Sequence, residues 1–383
     1  MKKIVVIHHS SVIGGAANSL LNVIDVLQEY GDVTVYVSDY RKDFYNQLLT
    51  KGIMVKKYHG RIGAIYYHAA NQGVFSMAFW YRLILLSFQY SFWRKAILNE
   101  DADLYIVNSV ILCWFGPLLN KLGKKSQCYV RETFACNGKG IVNYAMRKYL
   151  NCFNSVSFIT EYDKKTANLN QNVKCYVNNN YFIPENIGVV NKKQEDNFKV
   201  LYLGGISKIK GIDLVVKAAT ILESYKDIEF IILGEDYSKD RKQSKYVQRF
   251  YKKIQKNELI RNRIKLKGIQ YSVSPFFICA DILICPITKP HQLRPVFEAG
   301  YFEIPVIVPK FDQLEWAVKD GYNGLFFTSN SPESLASKIL TLYNDREQLI
   351  RLGKNNRKFY QESHSFTVCK TKLMTMYTEL LNN

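Results

Sequence analysis

The feature that most limits what this chain can fold into is a repeated alternation. Short, nearly unbroken apolar runs rich in Val, Ile and Tyr are each followed by a segment of helical length. KIVVIHH (3–9), DVTVYVS (32–38), DLYIVNS (103–109), SQCYVRE (126–132) and SVSFIT (155–160) are such runs. A strand without polar alternation is covered on both faces, as in parallel sheets sandwiched between helices. Between the first two runs, AANSLLNVIDVLQEYG places Leu20, Leu21, Ile24, Val26 and Leu27 near one helical stripe, and Gly31 is read as its stop. The pattern restarts at FKVLYLGG (198–205) and continues through IEFIILGE (228–235), IKLKG (264–268), ADILICP (280–286) and PVIVP (305–309). Polar, aperiodic NIGVVNKKQEDN (186–197) separates the two series. The expectation is an α/β protein of two domains, 1–185 and 186–364, with a last helix at 365–383 packing back on the first. Ligands of open α/β sheets bind beyond the carboxyl ends of the strands, so a cleft between the domains is the expected site. Ser331, with Glu333 in the first turn, is expected to open the C-terminal helical region.

Composition narrows the function classes. The chain has 383 residues, 48% of them hydrophobic, which fits a folded two-domain protein and not a disordered one. A formal charge of +19 admits nucleic acid, anionic lipid or a phosphorylated substrate as partner. The eight cysteines are scattered without a CxxC pair, and the six histidines lack HExxH spacing. They read as reduced thiols of a cytosolic protein, with no metal and no cofactor expected. The apolar run in MKKIVVIHHSS is too short for a signal peptide and reads as the first strand. VFSMAFWYRLILLSFQYSFW (74–93) is long enough to cross a bilayer but carries Arg82 near its middle, so an amphipathic or buried helix is expected.

Three strand–turn–helix stretches carry the chemistry. In SSVIGGAANSLLNVI (10–24), Gly14 and Gly15 let backbone N–H groups approach an anion at a helix start. The stretch is not GxGxxG and does not imply a dinucleotide fold. LGGISKIKGIDLVVKAA (203–219) repeats the device, with Lys208 and Lys210 in the turn before a helix, one of them expected to reach a diphosphate. In KPHQLRPVFEAG (289–300), the amides from Leu293 through Arg294 and Pro295 to Val296 are expected to face an anion, with the Arg294 fork beside them. Glu298 follows in the same helix and also suits the positive end of its dipole.

Together these stretches resemble the retaining GT-B glycosyltransferases of the family 4 type (glycosyltransferases group 1), over nearly the whole chain. The resemblance is carried by GGAANSLLNVI, YLGGISKIKGIDLVVKAA, IKLKGIQYSVSPFFICADILICPI and, at greatest length, RPVFEAGYFEIPVIVPKFDQLEWAVKDGYNGLFF. It implies two Rossmann-like domains facing across a cleft and a nucleotide-sugar donor held without metal. It implies that Glu298 binds the ribose hydroxyls, Lys210 neutralises the donor diphosphate, Gly15 lies by the donor phosphates, and Gly268 edges the base pocket. Glu132 falls where many members place a histidine beside the reacting sugar, where a carboxylate would steady an oxocarbenium-like transition state. Two positions depart from the family pattern. Pro290 stands where a first acid is usual, and Gly205 where an arginine is usual. Arg294 is the candidate for the missing positive charge, and His291 and Gln292 are candidates for contacting the sugar.

The mixture of Tyr, Trp, Phe, Arg and Lys in residues 58–95 suits the edge of an anionic bilayer. The resemblance extends this to a cytoplasmic protein attached peripherally to the inner face of the membrane, with a glycan or lipid-linked acceptor. The rival readings are a GT-B homologue that has lost turnover and serves as a binding subunit, and a sugar-nucleotide epimerase. Nucleic-acid binding lacks any accompanying motif.

Overall fold

The computed structural model describes residues 1–10, 15–39, 42–60, 62, 77–132, 141–183, 197–234, 245–270, 272–290 and 293–382. The chain forms two compact units. One is Met1–Asn180 with Thr367–Asn383, the other Tyr181–Phe366. The sequence places the divide at 185/186 and the return at 365, a few residues from both.

The first unit is built on seven strands: β1 (Lys2–His8), β2 (Gly31–Ser38), β3 (Met54–Tyr58), β4 (Leu104–Asn108), β5 (Ser126–Val130), β6 (Ser155–Phe158) and β7 (Lys174–Val177). They form one sheet in the order β3-β2-β1-β4-β5-β6-β7, with every pair parallel. The strand order reverses between β1 and β4. Helix Gly15–Leu27 buries Leu20, Leu21, Ile24, Val26 and Leu27, the stripe read from the sequence. Gly31 has a different role from the one expected. The helix ends at Leu27, and Gly31 begins β2, where a Cβ would lie 1.9 Å from the carbonyl oxygen of Lys2. Gly31 is there because β1 passes too close for a side chain. Thr160 caps helix Glu161–Ala167 by accepting from the Asp163 amide, and Asn168 ends it in the left-handed region at φ 47°.

The C-terminal helix Phe366–Asn382 lies in this first unit. The Tyr129 and Tyr377 hydroxyls bond to each other at 2.7 Å, Lys125 Nζ donates to the Leu380 carbonyl at 3.0 Å, and Tyr30 donates to the Met374 carbonyl at 2.7 Å.

The second unit holds β8 (Phe198–Tyr202), β9 (Ile228–Leu233), β10 (Ile264–Gly268), β11 (Ile282–Ile284), β12 (Val306–Pro309) and β13 (Gly324–Phe327). They form a parallel sheet in the order β10-β9-β8-β11-β12-β13. The reversal here falls between β8 and β11. Both sheets are of the doubly wound kind, with ligand positions expected outside the carboxyl ends at the reversal. Ser331 caps helix Pro332–Asn344 by accepting from the Ser334 amide, as its place in the sequence suggests.

Helix Met77–Glu100 is neither plainly amphipathic nor buried. Trp93 and Ile97 are buried in the first core, where Trp93 meets Tyr36, Tyr58 and Phe115 edge to face. About half a turn away by the helical period, Met77, Tyr81, Ile84, Phe88 and Phe92 are exposed, Phe88 by 77%. The helix is therefore apolar on two opposite faces, one against the sheet and one against solvent. Among the described residues no helix is long and apolar enough to cross a membrane.

Candidate functional site

The carboxyl edge of the second sheet is made of glycine corners. Gly205, Gly234 and Gly268 have φ of 61°, 105° and 71°, angles that side-chain residues rarely take. Gly205 N donates to the Leu233 carbonyl and Gly234 N to the Gly268 carbonyl, each at 2.9 Å, so the ends of β8, β9 and β10 are laced together. A Cβ at Gly204 would strike the Tyr202 hydroxyl at 2.1 Å. Gly205 is buried and in the left-handed region, where an arginine would be strained.

The loop after β8 is held from both sides. Tyr202 Oη donates to the carbonyls of Gly205 (3.1 Å) and Lys210 (3.3 Å). From the strand across the reversal, Thr288 N donates to the Ile209 carbonyl at 2.9 Å. Gly211 caps helix Ile212–Ile221 at φ 80°, and a Cβ there would lie 1.7 Å from the Pro286 carbonyl oxygen. Lys208 and Lys210 are thus exposed on a pinned loop directly beside the segment Cys285–Thr288.

Glu298 lies on helix Arg294–Tyr301 and is buried. Burial raises its carboxyl above the ordinary carboxylate range, opposed by Arg294. Arg294 Nε donates to Glu298 Oε1 at 2.7 Å, one turn along the same helix. Cys285 ties the two sides together. Burial pushes its thiol up to about 12, and of the nearby charges Lys210 pulls it down while Glu298 pushes it further up. Lys210, in the loop after β8, and Glu298, on the helix that follows β11, thus flank the β8/β11 reversal. The sequence motifs point to neither Cys285 nor Gly234. A glycine closing an apolar strand, as in IEFIILG, is the available signal for Gly234.

The helix start itself differs from expectation. Of the amides from Leu293 to Val296, Pro295 has no N–H, and Val296 N donates to the Leu293 carbonyl at 3.2 Å. Leu293 and Val296 are buried side chains. Only Leu293 and Arg294 retain the amide role given to all four. Gly268, expected at the edge of a base pocket, has its carbonyl engaged by Gly234.

In the first unit, Gly15 opens the first helix, exposed, with nothing within 4 Å of the point a Cβ would occupy. Space is available there, and the fold does not itself demand glycine. Glu132 is occupied within its own unit. Ser109 Oγ donates to its Oε1, and the amides of Val110 (3.1 Å) and Arg131 (3.0 Å) donate to its Oε2. It caps the single helical turn Val110–Leu112, whose first residue follows Ser109 at an unusual φ of 138°. Gly14, His291 and Gln292 lie outside the described residues. Among the described residues, no three His, Cys, Asp or Glu side chains gather as metal ligands.

Two doubly wound parallel units are the architecture of the GT-B fold. Comparison with known proteins agrees. Residues 184–359 match the family Glycosyl transferases group 1. The uncharacterized glycosyltransferase MJ1178 of Methanocaldococcus jannaschii is 29% identical over 185 residues, 47% of this chain and 48% of that protein. The alpha-monoglucosyldiacylglycerol synthase of Acholeplasma laidlawii is 27% identical over 198 residues, 49% and 45% of the two chains. The chain thus spans about half the length of the curated relatives it matches. Among solved structures, Anabaena HepE in complex with UDP and glucose superposes with a TM-score of 0.75 at 17% identity, covering 99% of this chain and 100% of that one. That likeness establishes the fold.

Proposed function

We propose that the protein is a glycosyltransferase that moves a sugar from a nucleotide-sugar to a saccharide acceptor, with retention at the anomeric carbon. The observation that supports this reading is the match of residues 184–359 to the family Glycosyl transferases group 1, with Lys210 and Glu298 on either side of the β8/β11 reversal. A carboxylate offers two acceptor oxygens to a vicinal ribose diol, and a cation on a pinned loop meets the diphosphate that leaves. The leaving anion is stabilised by fixed charges, Lys210 first and Arg294 second, without metal. Arg294 serves the donor by releasing Glu298 Oε1 to the ribose and turning its fork to the phosphates. Retention and assistance from the donor phosphate in deprotonating the acceptor come from the family resemblance. HepE was solved with UDP and glucose, so uridine donors are the first to test.

Thermal melting with nucleoside diphosphates and their sugars tests the donor. One base is expected to raise Tm by several degrees in the native protein and not in Glu298→Ala. Turnover is tested by release of nucleoside diphosphate in the presence of a lipid-extracted acceptor fraction. Release that persists in both Glu298→Ala and Lys210→Ala overturns the assignment. The reading as a homologue without turnover draws on Pro290 and on Glu298 being already paired with Arg294. It predicts nucleotide binding with no release under any acceptor.

The acceptor is proposed to be lipid-linked, in surface-polysaccharide assembly, with the protein attached to the cytoplasmic face of the membrane. The support is the exposed apolar face of helix 77–100, with Arg94 and Lys95 near its end. An apolar stripe flanked by cations suits an anionic interface. Flotation with anionic vesicles at low salt is expected to carry the native protein and not the variant Ile84→Glu/Phe88→Glu. Equal flotation of the two removes this helix from the contact.

A further inference from the structure

The reversal point of the first sheet holds charged and polar groups that the donor chemistry does not use. His8 ends β1 and Asn108 ends β4, opposite each other in register. Arg131 follows β5 directly. Arg131 Nε donates to Asn108 Oδ1 at 3.0 Å, which fixes the orientation of that amide. Asn108 Nδ2 then donates to His8 Nδ1 at 2.9 Å. A neutral imidazole that accepts at Nδ1 carries its proton at Nε2. His8 is kept neutral mainly by complete burial, with His9 and Arg131 acting in the same direction and outweighing a hydrogen bond to the Asn108 backbone that favours the charged ring. Its Nε2–H is therefore a donor, and it is buried with no acceptor.

The other end of this hydrogen-bonded chain has the same deficit. Arg131 Nη1 donates to Asn180 Oδ1 at 3.3 Å, and the guanidinium lies 4.4 Å from the Tyr129 ring centre. Its Nη2 is buried with no acceptor. Glu132 next to it is spent on Ser109 and on backbone amides. Among the described residues, no carboxylate pairs with this guanidinium. A buried cation without a counter-ion is costly, and here the two unpartnered atoms at the reversal are both donors. Both can donate to a group that carries several acceptor oxygens.

We propose that His8 and Arg131 form an oxyanion subsite at the β1/β4 reversal that holds a phosphate group of the acceptor. The subsite itself rests on the first unit alone. Its assignment to an acceptor rests on the glycosyltransferase reading above, in which the donor phosphates belong to Lys210. Two N–H bonds at Nη2 and one at Nε2 match the several oxygens of a phosphate, and arginine is the side chain best suited to that group. The high net positive charge of the chain draws such acceptors in.

The test is thermal melting of the full chain with inorganic phosphate as probe, against sodium chloride at equal ionic strength. Phosphate is expected to raise Tm of the native protein and of Lys210→Ala alike. In Arg131→Met the apparent phosphate affinity is expected to fall by about tenfold or more, the loss of a charge-assisted hydrogen bond. His8→Leu is expected to weaken it and His8→Gln, which keeps a donor, to restore part of it. An unchanged phosphate response in Arg131→Met, or one lost in Lys210→Ala instead, overturns the subsite. If Arg131→Met does not fold, the His8 pair decides: equal responses in His8→Leu and the native protein overturn it too.

Nucleoside diphosphate is run in parallel. An Arg131-dependent phosphate response with no nucleotide response leaves the subsite standing and defeats only the glycosyltransferase reading. The reverse result defeats only the subsite. Glucose 1-phosphate and phosphatidylglycerol vesicles then identify the source. An Arg131-dependent response to either supports the subsite and assigns the phosphate to a soluble saccharide or to a lipid.

Discussion

Glu298 is a carboxylate whose burial and function pull in opposite directions. Burial lifts its pKa above the usual value of about 4.3. On acidification the folded protein therefore takes up this proton before the unfolded chain does. By linkage the residue's contribution to stability falls as pH rises through that window. Nucleotide binding through an ionised Glu298 has the opposite dependence and weakens as pH drops from neutral toward the ordinary carboxylate range. Glu298→Gln is expected to melt no lower than the native protein at neutral pH. It should bind nucleoside diphosphate about tenfold more weakly and lose that pH dependence. Calorimetric titration across pH checks all of this. The sequence marks Glu298 and Lys210 through their motif, but it does not reveal the Arg294 contact or the exhaustion of Glu132. The first is an i,i+4 helix pair that the spacing offers and the motif reading passes over; the second is a bond to Ser109, twenty-three residues away in the chain.

Elements show where reading a sequence fails for physical reasons. All ten strands read as apolar runs are present, while β3, β7 and β13 lie outside those runs. β3 is MVKKY and β7 is KCYV, and both are edge strands. An edge strand pairs on one side only and carries lysines where a central strand carries Val or Ile. β13 is four residues at the edge of the other sheet. The loop between β8 and its helix makes a further prediction. Gly211→Ala combines a positive φ with contact against the Pro286 carbonyl. It is expected to destabilise the second unit by about 1–3 kcal/mol and to displace Lys210. Melting and nucleotide affinity should fall together.

Helix 77–100 is anchored at its end by Glu100, which accepts from Tyr36 Oη at 2.5 Å and from Lys56. Burial opposes ionisation of Glu100, but Lys56, Tyr36 and Lys3 outweigh it and hold the carboxyl below its usual range. The stabilisation is therefore present above the ordinary carboxylate value and lost as pH falls through the lowered one. Glu100→Ala is expected to cost about 2 kcal/mol, and its Tm difference from the native protein should shrink in acid.

At the scale of the whole molecule, two sheets of one topology place their distinctive groups at corresponding points. In the second, glycine corners and Lys210 face the β8/β11 reversal. In the first, His8, Asn108 and Arg131 gather at β1/β4. The alternation of runs and helices made two such sheets legible, and a polar stretch near 186–197 marked the change. The use of the first sheet's reversal was not legible, because His8, Asn108 and Arg131 are about a hundred and twenty residues apart at their widest and only strand order joins them.

The last helix, Phe366–Asn382, supplies partners for Tyr30, Lys125 and Tyr129 of the first unit. During synthesis the residues of the first sheet emerge early, yet that flank stays uncovered until residues 366–382 have followed the whole second unit. Removal of 366–383 should thus lower the melting transition of the portion made first and spare the portion made second, an inversion that limited proteolysis of the shortened chain would display.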